Sequence, residues 1–147
     1  MADQNIPQFD KSKFTNQPYI KRVEKPWGYE LHWVPEGMQY MGKIMHINAG
    51  HRLSLQIHDK KQESYLLLKG ECDLIIENAQ GELDIIHMQK GCGYTTMVGQ
   101  RHRHQAVTEC DIAEVSMPEG GTTWRLEDDY ARPNETPEQR KKERGEK

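Results

Sequence analysis

The chain lacks the features that mark several broad classes of protein. No run approaches the ~20 apolar residues of a membrane helix, and a net charge of −3 gives no reason to expect nucleic acid or a membrane surface as a partner. The three cysteines form no C-x-x-C pair, and the N-terminus has no apolar signal-peptide core. We therefore expect a soluble cytoplasmic protein with free thiols, which binds neither nucleic acid nor membranes.

The sequence also lacks an amphipathic helical period between about residues 21 and 132. Short apolar stretches there alternate with polar residues between Gly, Pro and Asn, which predicts about eight to ten strands of an all-β, single-domain jelly-roll barrel. We expect a polar N-terminal arm at 1–20, the barrel at 21–132 and a charged C-terminal tail at 133–147. A capping threonine predicts a short helix from Thr136 through Arg144, but without an apolar stripe we expect this tail to be frayed.

Residues 50–70 contain three possible metal ligands around one short turn. Strand alternation puts Gln56 and His58 on the same face. The polar residues 59–62 predict a hairpin loop, so that Glu63 lies opposite His58 in an antiparallel pair and Tyr65 faces inward opposite Gln56. Imidazole, amide and carboxylate donors suit one divalent ion of Zn, Mn, Fe, Co or Ni.

A fourth ligand must come from elsewhere in the chain. Residues 91–106 form a glycine-punctuated segment that leads into a strand with His102 and His104 on one face. Either imidazole could serve as the ligand. His104 could instead transfer protons or be a hydrogen-bonded structural residue.

These spacings resemble the two motifs of the cupin superfamily. The first motif, G-x5-H-x-H-x4-E-x6-G, is matched with Gln in place of the first His, and the second, G-x5-P-x-G-x2-H-x3-N, is matched without its Pro and Asn. The matching residues are Gly50, Gln56, His58, Glu63 and Gly70, followed by Gly91, Gly99 and His102. The resemblance implies a cupin jelly-roll β-barrel with Gln56, His58, Glu63 and His102 as the metal ligands.

Within that superfamily the chain resembles the cupin module of bifunctional mannose-6-phosphate isomerases and their small single-domain relatives. The residues that carry this resemblance are Lys43 and the segments 25–28 (KPWG), 52–58 (RLSLQIH), 102–103 (HR) and 125–132 (RLEDDYAR). It implies a metal-dependent aldose–ketose isomerase that acts on a sugar or sugar phosphate through an enediol. We expect a homodimer, with residues 125–132 forming a clasp over the barrel or across the dimer contact.

Isomerisation needs a group that transfers a proton and, for a phosphorylated sugar, cations that bind the anion. The inward-facing candidates for proton transfer are His104, Lys43 and Tyr65. The candidates for anion binding lie near the ligand segments and are Arg52, Lys61, Arg101 and Arg103.

Two other functions remain open at this point. The set of His58, His102 and Glu63 matches the two-histidine, one-carboxylate donors of Fe(II) oxygenases. A non-catalytic cupin that binds a sugar is the other alternative, because a fold does not fix a function.

Overall fold

The computed structural model describes residues 5–147, which form two antiparallel sheets and one short helix. The elements are β1 (Lys21–Lys25), β2 (Gly28–His32), β3 (Met41–Ile47), β4 (Leu55–His58), β5 (Glu63–Lys69), β6 (Cys72–Glu77), β7 (Leu83–His87), β8 (Gly93–Thr96), β9 (His102–Ala106), β10 (Cys110–Ser116), β11 (Thr123–Glu127) and α1 (Pro137–Glu143). The six-stranded sheet has the order β1-β2-β3-β10-β5-β8, and the five-stranded sheet has the order β11-β4-β9-β6-β7. The predicted all-β jelly-roll barrel is confirmed.

The connection between β4 and β5 corrects the predicted hairpin. The two strands flank the loop 59–62 as expected, yet β4 pairs with β11 and β9 whereas β5 pairs with β10 and β8. The loop therefore passes from one sheet to the other. A polar loop of four residues is compatible with either connection, and only long-range strand pairing decides between them. Tyr65 consequently lies opposite Tyr94 and Glu114, and not opposite Gln56.

The first strands also differ from the prediction. The sequence of residues 22–33, with Pro26 and Gly28 between aromatic residues, predicts one edge strand entered through a turn. The structure instead has a hairpin of β1 and β2, which turns at Pro26 and Trp27. Proline cannot donate a ladder hydrogen bond, so it falls naturally at the turn. This hairpin brings the number of strands in the described residues to eleven.

A buried cluster fills one end of the barrel. It is drawn from both sheets and includes Ile47, Leu67, Cys72, Leu74, Ala106, Cys110 and Ile112. The glycine at position 70 is required at this end, because its φ is +80° and a Cβ atom would lie 2.1 Å from the carbonyl oxygen of Glu109. The other end of the barrel is polar.

The two termini behave differently. The first four residues of the predicted arm lie outside the described residues, and residues 5–20 form neither helix nor strand and are largely exposed. The prediction of a frayed C-terminal tail is wrong: Glu135 pairs through its backbone with Thr123, and Arg140 of α1 is buried. Ion pairs and not apolar contacts hold this segment, which explains why hydrophobic periodicity gave no sign of it. Among residues 5–147 no helix is long and apolar enough to cross a membrane.

Candidate metal centre

The polar end of the barrel contains a cavity with side chains from both sheets. Strand alternation directs residues of β3, β5, β9 and β10 into it, and the segment after β11 contributes further lining residues. The lining residues include Glu30, Lys43, Gln56, His58, Lys61, Glu63, Tyr65, His102, His104, Glu114, Glu119, Arg125, Glu135 and Arg144. All four predicted metal ligands and all three predicted proton-transfer residues are among them.

Three of the predicted ligands converge closely. His58, Glu63 and His102 each present one ligand atom, and these atoms lie within 4.8 Å of one another. Nε2 of His58 is 3.2 Å and Nε2 of His102 is 3.3 Å from the same carboxylate oxygen, Oε2 of Glu63. The two imidazoles come from the five-stranded sheet and the carboxylate from the opposite sheet. These three side chains therefore lie together as predicted, although β4 and β5 belong to different sheets and do not form a hairpin.

Gln56, the fourth predicted ligand, lies beside this group. It is directly opposite His102 in the β4–β9 pair, and its Nε2 is 3.4 Å from Nε2 of His58. Its Oε1 accepts a hydrogen bond from the hydroxyl of Ser54 at 2.8 Å. Because a hydroxyl can donate or accept, Ser54 can serve either orientation of the amide, including one that turns the oxygen toward the imidazoles.

The hydrogen bonds around the two imidazoles suit a metal ion. Nδ1 of His102 donates to the carbonyl of Gln100 at 2.9 Å, and Nδ1 of His58 bonds the hydroxyl of Thr123 at 3.0 Å. These contacts leave Nε2 of each ring as the metal-facing nitrogen. Nε2 of His102 is buried without a hydrogen-bond partner among the described residues. The residues therefore fit a divalent ion held by His58, Glu63 and His102 with Gln56 adjacent.

The ionisation of the ligands is also favourable. Burial alone would raise the pKa of Glu63, but the charge of Lys61 and the two imidazoles hold this pKa well below its ordinary value. Burial lowers the pKa of His58. Carboxylate and neutral imidazole are the forms in which these side chains bind a metal.

A second layer of charge surrounds the ligands. Nζ of Lys61 lies 2.5 Å from Oε1 of Glu63 and 3.9 Å from Glu114, while Nζ of Lys43 lies 3.1 Å from Glu30 and 3.6 Å from Glu114. Burial would lower the pKa of Lys43, but Glu114 and Glu30 raise it well above its ordinary value, so this lysine stays charged. Burial and then Glu63 raise the pKa of Glu114 to about 7.

Two further predicted residues stand next to the ligands. Tyr65 donates its hydroxyl hydrogen to Glu63 and lies 2.8 Å from the hydroxyl of Thr96, and burial raises its pKa well above the ordinary value. His104 packs edge-on against Tyr65 with ring centroids 4.4 Å apart, and its Nε2 has no partner among the described residues. Burial and then His102 lower the pKa of His104 to about 3, so its ring is neutral near pH 7.

The structure does not bring three of the predicted anion-binding residues into the cavity. Arg52 forms a two-bond pair with Asp129, and Arg101 bonds Glu77 and the carbonyl of Gly81. Arg103 is buried, but it donates to the carbonyl of Leu53 and to Glu127. His102 and His104 share the inward face of β9, so Arg103 between them points outward. Of the four, only Lys61 lines the cavity.

Several cavity residues were missed from the sequence. Glu114 shares a face of β10 with Cys110 and Ile112, so strand alternation could have placed it inside the barrel. Glu30 could have been found by the same reasoning in β2. No local pattern predicts Glu135 or Arg144, because their positions depend on how the C-terminal segment folds back over the barrel.

Two facing antiparallel sheets with a cluster of histidine and carboxylate at the polar end of their barrel define a cupin. The chain belongs to the mannose-6-phosphate isomerase C-terminal family, whose model matches residues 13–117. The resemblance drawn from the sequence motifs is thereby confirmed. A search of curated proteins finds no significant match.

Solved structures of oxalate decarboxylases have the same fold. The Bacillus subtilis enzyme at pH 4.6 is 17% identical with a TM-score of 0.64, over 80% of this chain and 34% of that chain. The Lactobacillus farciminis enzyme in its formate complex is 19% identical with a TM-score of 0.65, over 80% of this chain and 38% of that chain. This chain thus spans little more than a third of these structures, and the likeness concerns the fold alone.

Proposed function

We propose that this cupin is a metal-dependent aldose–ketose isomerase that acts on a sugar phosphate. The observation that carries the proposal is the convergence of His58, Glu63 and His102 within 4.8 Å in a buried polar cavity. Membership in the mannose-6-phosphate isomerase C-terminal family favours this reaction over others available to the same donors.

The chain supplies proton transfer and charge around the ligands. When bound, a divalent ion supplies positive charge that polarises the carbonyl of a substrate. The unpartnered Nε2 of His104 faces the same cavity and is unprotonated near pH 7, so it can accept a proton from the adjacent carbon and return it. Because its pKa is about 3, it is a weak base, and the positive charge around the carbonyl must make that carbon more acidic. The ammonium groups of Lys43 and Lys61 add positive charge where the substrate gains electron density. Tyr65 holds the Glu63 carboxylate in place through its hydroxyl.

The test is conversion of fructose 6-phosphate to mannose 6-phosphate by protein that has been stripped of metal and then reloaded with Zn, Mn, Fe, Co or Ni. We expect activity that requires metal and falls roughly 100-fold or more in His58→Ala, since loss even of an outer hydrogen-bond partner costs 10–100-fold. The matched control is His87→Ala, because His87 lies on β7 at the edge of the sheet with a side chain that is 62% exposed. Equal activity in both variants would reject the proposal. Sugar binding without turnover in the wild type would indicate a binding module.

A second candidate function rests on the identity of the three closest donors. Two imidazoles and one carboxylate form the donor set of non-haem Fe(II) oxygenases, and Gln56 would then border an open position. Dioxygen uptake by the Fe(II)-loaded protein in the presence of a candidate organic substrate tests this alternative. Isomerisation without dioxygen uptake excludes it.

The proposal includes a homodimer. The apolar side chains of the N-terminal arm at Ile6, Phe9, Phe14 and Ile20 are each more than 60% exposed, which favours burial against a second copy. Light scattering of the full chain and of a variant with Phe9 and Phe14 replaced by serine tests this assembly. A monomeric wild type would contradict it.

A further inference from the structure

The C-terminal segment, which we define as residues 133–147, packs beside the cavity, and we call this docked arrangement the closed form. Glu135 and Arg144 of this segment line the cavity together with the barrel residues. The space free for solvent in the cavity is about 50 Å³, and since one water needs ~10–15 Å³ by this measure, it has room for a few waters. Displacement of the C-terminal segment would widen this space for a sugar phosphate.

The carboxylate of Glu135 is held by three cations at the mouth of the barrel. Nη2 of Arg125 donates to it at 2.9 Å, Nε of Arg140 donates at 2.9 Å, and Nζ of Lys25 lies 3.8 Å away. Glu135 itself is buried, at 7% exposure. Arg140 belongs to the moving segment, whereas Lys25 and Arg125 belong to the barrel strands β1 and β11.

The partners of Arg125 all lie in the C-terminal segment. Its guanidinium donates to the carbonyl of Pro133 and to the carboxylates of Glu135 and Glu143. Among the described residues, Lys25 has Glu135 as its ion-pair partner. The side chains of Arg125 and Lys25 are only 4% and 9% exposed. Displacement of the segment would thus leave two cations without partners beside the cavity, where another anion can replace the carboxylates.

Arg125 lies one strand away from the metal ligands, and Lys25, on β1 of the other sheet, lines the same cavity. In the β11–β4 ladder Arg125 is opposite Gln56, and Thr123 is opposite His58. Thr123 also bonds Nδ1 of His58 through its hydroxyl and pairs through its backbone with Glu135. A molecule with one end at the metal centre and an anionic group at its other end can therefore reach both places.

We propose that Lys25 and Arg125 form the binding site for the phosphate group of the substrate, and that the carboxylate of Glu135 occupies this site until the substrate displaces it. The inference rests on the proposed function for the identity of the substrate, but the anion site itself is independent of isomerisation. It assigns the phosphate to residues other than Arg52, Arg101 and Arg103, whose side chains are engaged outside the cavity.

The charge balance favours a phosphate monoester over a carboxylate. In the closed form Arg125 is paired with two carboxylates, those of Glu135 and Glu143. A phosphate monoester carries about −1.5 to −2 charges near pH 7 and offers three acceptor oxygens, so a single group replaces both carboxylates. The planar guanidinium can also bind two phosphate oxygens at once.

The test is titration of the metal-free protein, residues 1–147, with inorganic phosphate, followed by isothermal calorimetry. Glu135→Gln removes the competing charge but keeps the shape of the side chain, so we expect it to bind phosphate about 10-fold more tightly than the wild type, a change of about 1.4 kcal/mol. Adding Arg125→Gln to this variant should abolish the gain. The matched control is Glu138→Gln, because Glu138 lies in α1, is exposed and has no ion pair among the described residues.

A second measurement uses the wild type alone and does not depend on the folding of a variant. Phosphate should accelerate hydrogen exchange at the amides of Glu135 and Arg140, which bond Thr123 and Thr136 in the closed form. Unchanged exchange at saturating phosphate would overturn the proposal. So would a Glu135→Gln affinity within twofold of the Glu138→Gln control, or an absence of phosphate binding in both proteins.

The two proposals fail in distinguishable ways. If phosphate binds as expected and fructose 6-phosphate is not isomerised, the anion site remains and the isomerase proposal is rejected. If fructose 6-phosphate is isomerised and neither phosphate affinity nor exchange responds as described, the isomerase remains and the anion site is rejected.

Discussion

The same strands build both ends of the barrel, and the two ends differ sharply in chemistry. Along the inward face β3 changes from Lys43 to Ile47, β5 from Glu63 to Leu67, and β9 from His102 to Ala106. Strand β10 makes the same change between Glu114 and Ile112. The apolar end gains stability from burial, whereas the polar end buries charges that must be paired. The comparison indicates that stability and function are concentrated at opposite ends of shared strands.

The largest expected effect lies at the apolar end. Ile112 is fully buried, so Ile112→Ala should lower the free energy of unfolding by about 2–5 kcal/mol through lost burial and an internal cavity. Ile85→Ala is the control, because Ile85 is 72% exposed and should cost less than about 0.5 kcal/mol. Urea denaturation measures both values. Similar losses in the two variants would show that the apolar end is not the main source of stability.

The next effect concerns a buried acid at the polar end. Because burial and Glu63 raise the pKa of Glu114 to about 7, its contribution to stability is fully present below about pH 4.5 and is lost as the pH rises through 7. The loss is up to roughly 3 kcal/mol. Glu114→Gln should remove this part of the pH dependence, which is measured by urea denaturation of the metal-free protein between pH 4.5 and 8.

The control for this pH profile is Glu82→Gln, an exposed acid whose side chain has no ion pair among the described residues. It should keep the wild-type profile. A Glu114→Gln profile parallel to that of the control would contradict the raised pKa.

The sequence predicted which side chains of a strand face inward better than it predicted which strands pair with one another. Alternation within one strand placed Gln56 with His58, and His102 with His104, because side-chain direction is a local property. Local reasoning did not predict the path of the loop 59–62. Whether this loop joins two paired strands or passes from one sheet to the other depends on pairing with distant strands. The predicted ligands still converge, because both connections place Glu63 across from the imidazoles.

The C-terminal segment escaped prediction for a different reason. Its contacts are ion pairs between residues far apart in the chain, such as Arg144 with Glu119 at 2.6 Å, and such pairs have no period. Its helix was predicted correctly from the Thr136 cap, which accepts a hydrogen bond from the amide of Gln139. Sequence thus predicted the local element and missed its docking.

A smaller effect is expected from the bond between the metal centre and β11. Thr123→Val keeps the size of the side chain and removes the hydroxyl that orients His58 at 3.0 Å, so metal affinity should fall about 10–100-fold. The control is Thr122→Val, since the neighbouring hydroxyl makes no hydrogen bond to the ligands. Competition with a chromophoric chelator measures both affinities. Equal affinities would mean that packing alone orients the ring.

The smallest effect tests whether the C-terminal segment opens independently of the barrel. Arg140 pairs with Glu135 at 2.9 Å and with Glu119 at 3.3 Å. Arg140→Gln should lower the free energy of local opening by roughly 1–2 kcal/mol, between the contribution of an ordinary hydrogen bond and that of one to a charged group, while global unfolding stays unchanged. Hydrogen exchange of the α1 amides measures the opening, and Lys141→Gln is the matched control because Lys141 is exposed in the same helix.

Acid should loosen the same segment. Burial would raise the pKa of Glu119, but Lys43 and then Arg144 lower it to about 2. Its contribution is therefore present above about pH 4.5 and is lost as the pH falls toward 2. Exchange of the α1 amides should accelerate over that range before the apolar end unfolds. If the helix and the barrel opened at the same pH, the C-terminal segment would be part of the core. It would then belong with the stable apolar end of the barrel and not with the functional polar end.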